Sequence, residues 1–230
     1  MLSNQRKSAF SRRRLRTVVE DAGALEPSAP YVFLTLTARN RPWAELGLML
    51  DELAEAEARF WRLDAVKRAF IGSITSHEIV CRGTKDNPEA GAHSHVLIAC
   101  HPEYFDLHAP EPRYLSQARL TDLFQQSLRS DYKPILYIER VRADAMRPGH
   151  HDLGAALREL VKYCAKPSSL FTSGTRGLIA DPSTIAVLSR ALHRRRMLRV
   201  AGIFAKASRI HNKASEGGHR ADLNPHDHTT

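Results

Sequence analysis

Two histidines separated by one residue lie in the segment AHSHVLIAC, residues 92–100. The segment has the apolar and β-branched composition of a β-strand. Because alternate residues of a strand project from the same face, the imidazoles of His93 and His95 are expected to point the same way. Paired imidazoles are common metal ligands, but packing or a surface position explains such a pair about as often. The motif therefore needs a further ligand nearby.

A carboxylate on the preceding predicted strand can supply that ligand. Residues 71–81, IGSITSHEIVC, also have a strand pattern, and the turn-forming residues of RGTKDNPEAG separate the two segments. A hairpin would bring Glu78 beside His93 and His95 and leave coordination positions for water and substrate oxygens. His77 faces the other way in a regular strand, and a bulge would exchange the two residues, so His77 is the reserve ligand.

A predicted helix over residues 153–166 carries three reactive side chains on one stripe. Helical spacing puts Glu159, Tyr163 and Lys166 within roughly 60° of one another. A tyrosine hydroxyl becomes an effective nucleophile towards a polarised phosphorus beside a positive charge, and Lys166 can supply that charge. Glu159 can act as a general base for water or a second hydroxyl. Without a nearby metal, an exposed face with a charge pair is the simpler interpretation.

The order of predicted elements indicates an α+β fold. Strands are predicted at 31–37, 71–81, 92–100 and 134–141, and helices at 42–70, 117–129, 153–166 and 183–205. Up to residue 166 the order is β-α-β-β-α-β-α, that of the ferredoxin-like (split βαβ) fold with an added helix, an antiparallel sheet with helices packed on it. The predicted divisions are a basic N-terminal segment at 1–28, one domain at 29–205 and a disordered polar tail at 206–230.

Positive charge is concentrated in two segments of this 230-residue chain, whose formal net charge is +9. Residues 1–16 carry six basic side chains and residues 190–213 carry eight, and neither segment contains an acid. Lys and Arg bound along a phosphate backbone release counterions, so these segments favour a nucleic-acid partner over the alternative of a solvated charged surface. The candidate DNA-binding residues are Arg12, Arg13, Arg14, Arg194, Arg195, Arg196 and Arg199.

Other classes of protein are disfavoured by the composition. No stretch approaches the ~20 consecutive apolar residues of a membrane span, and the first residues lack the apolar core of a secretory signal. The three cysteines are far apart and form no zinc or disulfide pattern. We therefore expect a cytoplasmic protein with no membrane contact.

Four segments together resemble the plasmid rolling-circle replication initiators, the Rep proteins of the HUH endonuclease superfamily. They are LTLT at 34–37, GAHSHVLIAC at 91–100, DYKPILYIERV at 131–141 and RELVKYCAKPSSL at 158–170. Relaxases, the conjugative relatives, usually have the tyrosine before the histidines, whereas here it follows them. Ser94 departs from the bulky apolar residue that usually stands between the histidines, and the cysteine pair that many relatives carry in a basic N-terminal segment is absent.

The resemblance implies an HUH-type fold and a chemistry. His93, His95 and Glu78 would hold Mg²⁺ or Mn²⁺, and Tyr163 would attack a phosphodiester of single-stranded plasmid origin DNA. The products would be a 5′-phosphotyrosyl link and a 3′-hydroxyl that primes synthesis. Glu159 would activate water to end the round, and Lys166 would help to position the metal or phosphate. Host helicase and DNA polymerase are the candidate protein partners.

Three other functions compete with this interpretation. A single-tyrosine HUH transposase would use the same residues. An origin-binding or regulatory protein that has lost cleavage would keep the fold and the basic segments. A hydrolytic metalloenzyme for small substrates would leave Tyr163 and the basic segments without a role.

Overall fold

The chain contains both helices and strands in a computed structural model that describes residues 2–84, 86–141, 156–157, 160 and 182–210. The elements are α1 Leu2–Leu25, β1 Tyr31–Thr37, β2 Arg41–Pro42, a 3₁₀ turn Trp43–Glu45, α2 Leu46–Phe60, α3 Asp64–Ala69, β3 Phe70–Gly83, β4 Pro88–Cys100, α4 Gln117–Leu128, β5 Ile135–Arg140, α5 Pro182–Leu192, β6 Leu198–Gly202 and a final helix, α6, over 203–210. Ser116 caps α4 as its hydroxyl accepts from the Arg119 backbone N–H at 3.2 Å.

The six strands form one sheet with the order β5-β1-β4-β3-β6, and β2 pairs with β4 beside this path. Every pairing is antiparallel. The four strands predicted from the sequence occupy the order fourth, first, third, second, which is the arrangement of the split βαβ fold. The predicted α+β fold is confirmed, with β6 added beside β3.

Each face of the sheet has its own hydrophobic core. The α2 face, named here for the helix that covers it, carries Val32, Leu34 and Val96, which pack with apolar residues of α2 and α4. The α1 face carries Phe33 and Leu97 and packs against α1, α6 and the helical residues Ala156, Leu157 and Leu160. The period of two along each strand therefore assigns every sheet residue to one of two environments.

The N-terminal segment forms part of the second core. Leu15, Val18, Val19 and Ala22 are buried at a spacing of three and four residues, which gives α1 an apolar stripe. Basic side chains of α1, including Arg13 and Arg14, are exposed beside this stripe. The helix thus places positive charge at the border of the α1 face.

The predicted helix over 42–70 is wrong as a single element. The chain leaves the helical conformation at Leu63, whose φ of −64° and ψ of 134° are extended. In one continuous helix, Phe60 and Phe70 would lie about 15 Å apart along the axis. The break instead lets Trp61 pack against both rings, with centroid distances of 5.3 Å and 6.1 Å. Aromatic packing therefore outweighs helix propensity here.

The predicted helix over 183–205 is also wrong in its second half. α5 ends at Leu192, and residues 198–202 pair antiparallel with β3 from Ser76 to Gly72. Arg194 adopts a positive φ of 56°, which stops helical continuation. The otherwise unpaired edge of β3 offers a row of backbone partners that a periodicity argument cannot detect.

The predicted disordered tail begins too early. Residues 206–210 belong to α6, and Ala207 is fully buried on the α1 face. Residues 211–230 lie outside the described residues. None of the helices that the structure describes is long and apolar enough to cross a membrane.

Replacing Gly202 by Ala should destabilise the fold at the edge strand. Gly202 has a φ of +59°, and an added Cβ would lie 2.6 Å from the Cα of Gly72. The strained backbone should lower the free energy of unfolding by about 1–3 kcal/mol, measured by urea titration. Gly47→Ala is the matched control, because its Cβ would meet only Arg195 at 3.9 Å. Equal effects of the two substitutions would contradict this account.

Candidate functional site

The predicted hairpin of β3 and β4 brings the candidate metal ligands together. Glu78 lies directly opposite His93, Ser76 opposite His95, and His77 opposite Ser94. Residues directly opposite share a face, so His93, His95 and Glu78 lie on the α1 face while His77 lies on the α2 face. The register shift in this pair falls between Phe70 and Gly72. The regular strand that places Glu78 beside the histidines, with His77 turned away, agrees with the prediction.

Two threonines of β1 orient the histidine rings. Thr37 Oγ1 lies 2.8 Å from Nδ1 of His93, and Thr35 Oγ1 lies 3.3 Å from Nδ1 of His95. Both threonines belong to the LTLT segment and stand opposite the histidines they contact. Hydrogen bonds at Nδ1 fix ring orientation and favour Nε2 as the ligating atom.

The candidate centre is largely buried. Nε2 of His95 lies 3.0 Å from Oε2 of Glu78, and the ring of His95 stacks near Phe33 with centroids 6.2 Å apart. Burial lowers the pKa of His93, and the neighbouring Glu78 opposes that shift. His93 is therefore held towards the neutral form, which is the form that binds metal.

The three side chains are of the types that bind a divalent cation, but their ligating atoms do not point at one common position. Two imidazoles and a carboxylate with room for water match the ligands of a catalytic metal. Among the described residues, no three His, Cys, Asp or Glu side chains surround a common point. The Glu78 carboxylate contacts His95 directly, so a cation would have to lie between them and replace that contact. The metal role of His93, His95 and Glu78 stays a prediction.

Three predicted catalytic residues, Glu159, Tyr163 and Lys166, lie outside the described residues. Their predicted helix is represented by Ala156, Leu157 and Leu160. These side chains pack in the core of the α1 face together with Leu97, which is two residues along β4 from His95. The described part of this helix therefore packs on the histidine face.

A buried polar network lies on the opposite face, and the sequence prediction did not include it. Ser94 Oγ donates to Oε1 of Glu57 at 2.5 Å and contacts Nδ1 of His77 at 3.1 Å. Glu57, on α2, is only 2% exposed. Arg199 lies beside it, with Nη1 3.7 Å from Oε2 of Glu57. The sequence feature that could have predicted this network is Ser94, a polar residue whose place in the strand pattern turns it into a hydrophobic core.

Burial shifts the two titratable groups of this network in opposite directions. It raises the pKa of Glu57 to about 7, against the hydrogen bond from Ser94 and the charge of Arg199. It lowers the pKa of His77 to about 4, and Arg199 lowers it further. His77 is therefore neutral at physiological pH.

The candidate DNA-binding arginines occupy different places. Arg12, Arg13 and Arg14 lie in α1, and the exposed side chains of Arg13 and Arg14 lie beside the apolar stripe that packs on the α1 face. Arg194, Arg195, Arg196 and Arg199 line a cavity on the α2 face together with His77. The structure therefore does not bring the second basic group together with His93 and His95.

Two exposed side chains flank the histidine face, and the sequence prediction missed them. Ile135 and Tyr137 on β5 stand opposite Thr37 and Thr35, so they share the face of the histidines. Ile135 is 69% exposed and Tyr137 is 56% exposed. An aromatic ring presented on a sheet is a common platform for an unstacked base.

The fold and site define an α+β protein with a candidate metal centre on its sheet and basic surfaces beside it. A family model described as replication protein matches residues 2–230. The chain belongs to this family, and the resemblance to Rep proteins is confirmed. No solved structure was found to match the chain.

Curated relatives carry the name Protein rep. The one from Lactiplantibacillus plantarum is 31% identical over 173 residues, which cover 75% of this chain and 53% of the relative. The relative from Lentilactobacillus hilgardii is 27% identical over 203 residues, covering 88% of this chain and 62% of the relative. That from Streptococcus pneumoniae is 28% identical over 203 residues, with 88% and 58% covered. The chain thus spans between half and two thirds of the length of these relatives.

Replacing Glu57 by Gln should change how stability depends on pH. An acid whose pKa is higher in the folded state contributes stability at low pH, and this stability is lost as the pH rises from 4.5, the ordinary pKa of the group, through about 7. Gln keeps an oxygen that accepts from Ser94 but does not ionise. The unfolding free energy of Glu57→Gln relative to wild type should therefore rise by about 2–3 kcal/mol across this window.

Chemical denaturation at a series of pH values measures this difference. Glu55→Gln is the control, because Glu55 lies on the same helix with its side chain 71% exposed. A Glu57→Gln difference that stays constant with pH would contradict the prediction.

Proposed function

We propose that this protein initiates plasmid rolling-circle replication by cutting and rejoining single-stranded origin DNA through a covalent tyrosine link. The observation that carries the proposal is the grouping of His93, His95 and Glu78 on one face, with both rings held by β1 threonines. Membership of the replication protein family supports the biological setting.

The chain's own residues divide the chemistry among them. His93, His95 and Glu78 would hold Mg²⁺ or Mn²⁺, which when bound polarises a phosphoryl oxygen. Tyr163 attacks phosphorus through its hydroxyl oxygen and gives its proton to solvent, and the P–O3′ bond breaks as O3′ takes up a proton from solvent. The 5′-phosphate is then linked to tyrosine and the 3′-hydroxyl is released as primer. Lys166 offsets the negative charge of the phosphate, and Glu159 later takes a proton from the water that releases the strand.

The described start of the predicted catalytic helix supports this assignment. Leu157 and Leu160 are buried against the α1 face. Tyr163 follows Leu160 by one helical turn in the predicted helix. A tyrosine on that helix is therefore well suited to serve a centre on the same face.

A binding protein that has lost cleavage is the second candidate. It is favoured by the position of Arg194, Arg195, Arg196 and Arg199, which line a cavity on the α2 face and do not lie beside His93 and His95. The arginines 194–199 would still serve such a protein. Formation of a covalent adduct separates the two candidates.

The first test is for a protein–DNA adduct that resists denaturation. The protein is incubated with supercoiled plasmid and with pooled single-stranded oligonucleotides, in Mn²⁺ or in EDTA. We expect an adduct in Mn²⁺ only, abolished in Tyr163→Phe and retained in Tyr114→Phe, which alters another tyrosine that is 46% exposed. The sequence attached to the protein identifies the cut site. DNA binding without any adduct would favour the binding protein.

The second test concerns Tyr137. Base stacking on an aromatic ring contributes about 1–3 kcal/mol per base. Tyr137→Ala should therefore weaken binding of single-stranded oligonucleotides by roughly 5-fold to 150-fold, whereas Tyr137→Trp should retain it. Fluorescence anisotropy in EDTA measures both affinities. The control is Tyr114→Ala, and a loss as large in that variant would contradict a stacking role for Tyr137.

A further inference from the structure

A cavity of about 320 Å³ opens on the α2 face, between α2 and the connection from α5 to β6. We call it the arginine pocket, because four of its lining residues are Arg194, Arg195, Arg196 and Arg199. His77 lines it from β3. Its volume lies at the lower end of the range for small organic ligands, roughly 300–1,000 Å³. It is therefore of a size for a single nucleotide.

Two of the four arginines are already engaged. Arg195 forms two hydrogen bonds with the carboxylate of Asp51, one of them at 2.9 Å from Nη2 to Oδ2. Arg199 lies beside Glu57. Arg194 and Arg196 are exposed and form no ion pair with another described residue. The pocket therefore keeps positive charge that its own acids do not balance.

A buried nitrogen gives a second and independent indication of a ligand. The His77 side chain is 6% exposed; its Nε2 has no hydrogen-bond partner among the described residues and lies 3.6 Å from Oε2 of Glu57. Ser94 uses its hydroxyl proton on Glu57, so Nδ1 of His77 donates to Ser94 and Nε2 is left as an acceptor. A buried polar atom without a partner is costly. An occupant with a hydrogen-bond donor would remove that cost.

We propose that the arginine pocket binds one nucleotide, with its phosphate on Arg194 and Arg196 and a donor of its base or sugar on His77 Nε2. Guanidinium groups bind phosphate oxygens with charge-assisted, often bidentate hydrogen bonds. Inorganic phosphate, mainly HPO₄²⁻ at pH 8, carries the charge but no base or sugar donor that could reach His77 from Arg194 and Arg196, whereas a nucleotide carries both. The nucleotide could belong to a DNA strand or be a free mononucleotide. Only the first of these sources rests on the proposed function.

The position of the pocket adds a constraint on any bound DNA. Arg199 pairs with Thr75 and lies on the α2 face, whereas His95 lies on the α1 face. The sheet separates them. One DNA strand that reached both would have to pass around the edge at β6, so the pocket holds a nucleotide other than the one being cut.

The test measures binding without cleavage, on the full chain at pH 8 in EDTA. Calorimetry compares inorganic phosphate, dGMP and a 10-nucleotide single-stranded DNA for wild type and for R194A/R196A. We expect wild type to bind dGMP at least 10-fold more tightly than phosphate and the variant to lose at least 10-fold for dGMP. The control R62A/R68A removes two exposed arginines that do not line the pocket, and its affinity should be unchanged.

Two further variants test the chemistry of the pocket. H77F removes the acceptor and should bring dGMP affinity down to that of phosphate without altering the latter. D51N frees Arg195 and should tighten dGMP binding several-fold, whereas E55Q, with the same charge change on the same helix, should not. The expected gain in D51N keeps the test valid where H77F does not fold.

The outcomes are distinguishable. If R194A/R196A lowers the slope of log affinity against log salt for the oligonucleotide by about 1.4, the nucleotide comes from DNA. If only dGMP responds, the ligand is a free nucleotide. Equal affinities for dGMP and phosphate in wild type, or an equal loss in R62A/R68A, would overturn the proposal. Because no step needs Tyr163, a missing adduct would count against the proposed function and not against this pocket.

Discussion

The antiparallel register of β3 and β4 is the constraint on which the candidate site depends. It sets Glu78 opposite His93 and Ser94 opposite His77. A slip by one residue would move every side chain of a strand to the other face. The histidines would then enter the α2 core, and Ser94 would replace them beside Thr35 and Thr37. The candidate metal centre is therefore a product of register, and it needs no loop to assemble it.

The buried network of Glu57, Ser94 and His77 helps to specify this register. A carboxylate that is 2% exposed is costly to place in a core. Its hydrogen bond from Ser94 offsets part of that cost only when Ser94 faces α2. A slipped strand would leave Glu57 without this donor, so loss of the hydrogen bond makes the misaligned pairing less stable. The same hydrogen bond joins α2 to the centre of β4. Ser94, between the two histidines, thus links the two faces of the sheet.

The parts of the fold that follow from local pattern could be predicted from the sequence. Period-two patterns gave four strands and the hairpin, and Ser116 marked the start of α4. The break at Leu63 could not be predicted, because it depends on Trp61 packing between residues distant in a helix. β6 could not be predicted either, since its stability comes from the free edge of β3. The burial of Glu57 depends on a partner 37 positions away.

The sequence likewise predicted one part of the candidate site and not the other. The side of the sheet that carries His93, His95 and Glu78 follows from strand alternation, which is a local rule. The location of Arg194, Arg195, Arg196 and Arg199 does not, because charge composition gives no direction in space. Arg199 lies on β6 beside Glu57 of α2, and Arg195, which precedes β6, is anchored to α2 by Asp51.

The position of β1 between β5 and β4 sets a fixed spacing on the histidine face. Thr35 is the pairing partner of both His95 on β4 and Tyr137 on β5. Two strand spacings of about 4.8 Å therefore separate the Tyr137 backbone from the His95 backbone by about 10 Å. Hydrogen-bonded strands change this distance little, whereas a loop would let it vary. The same strand that orients the imidazoles thus also fixes how far from them an exposed aromatic ring stands, so both features are set by the pairing of β1 with its two neighbours.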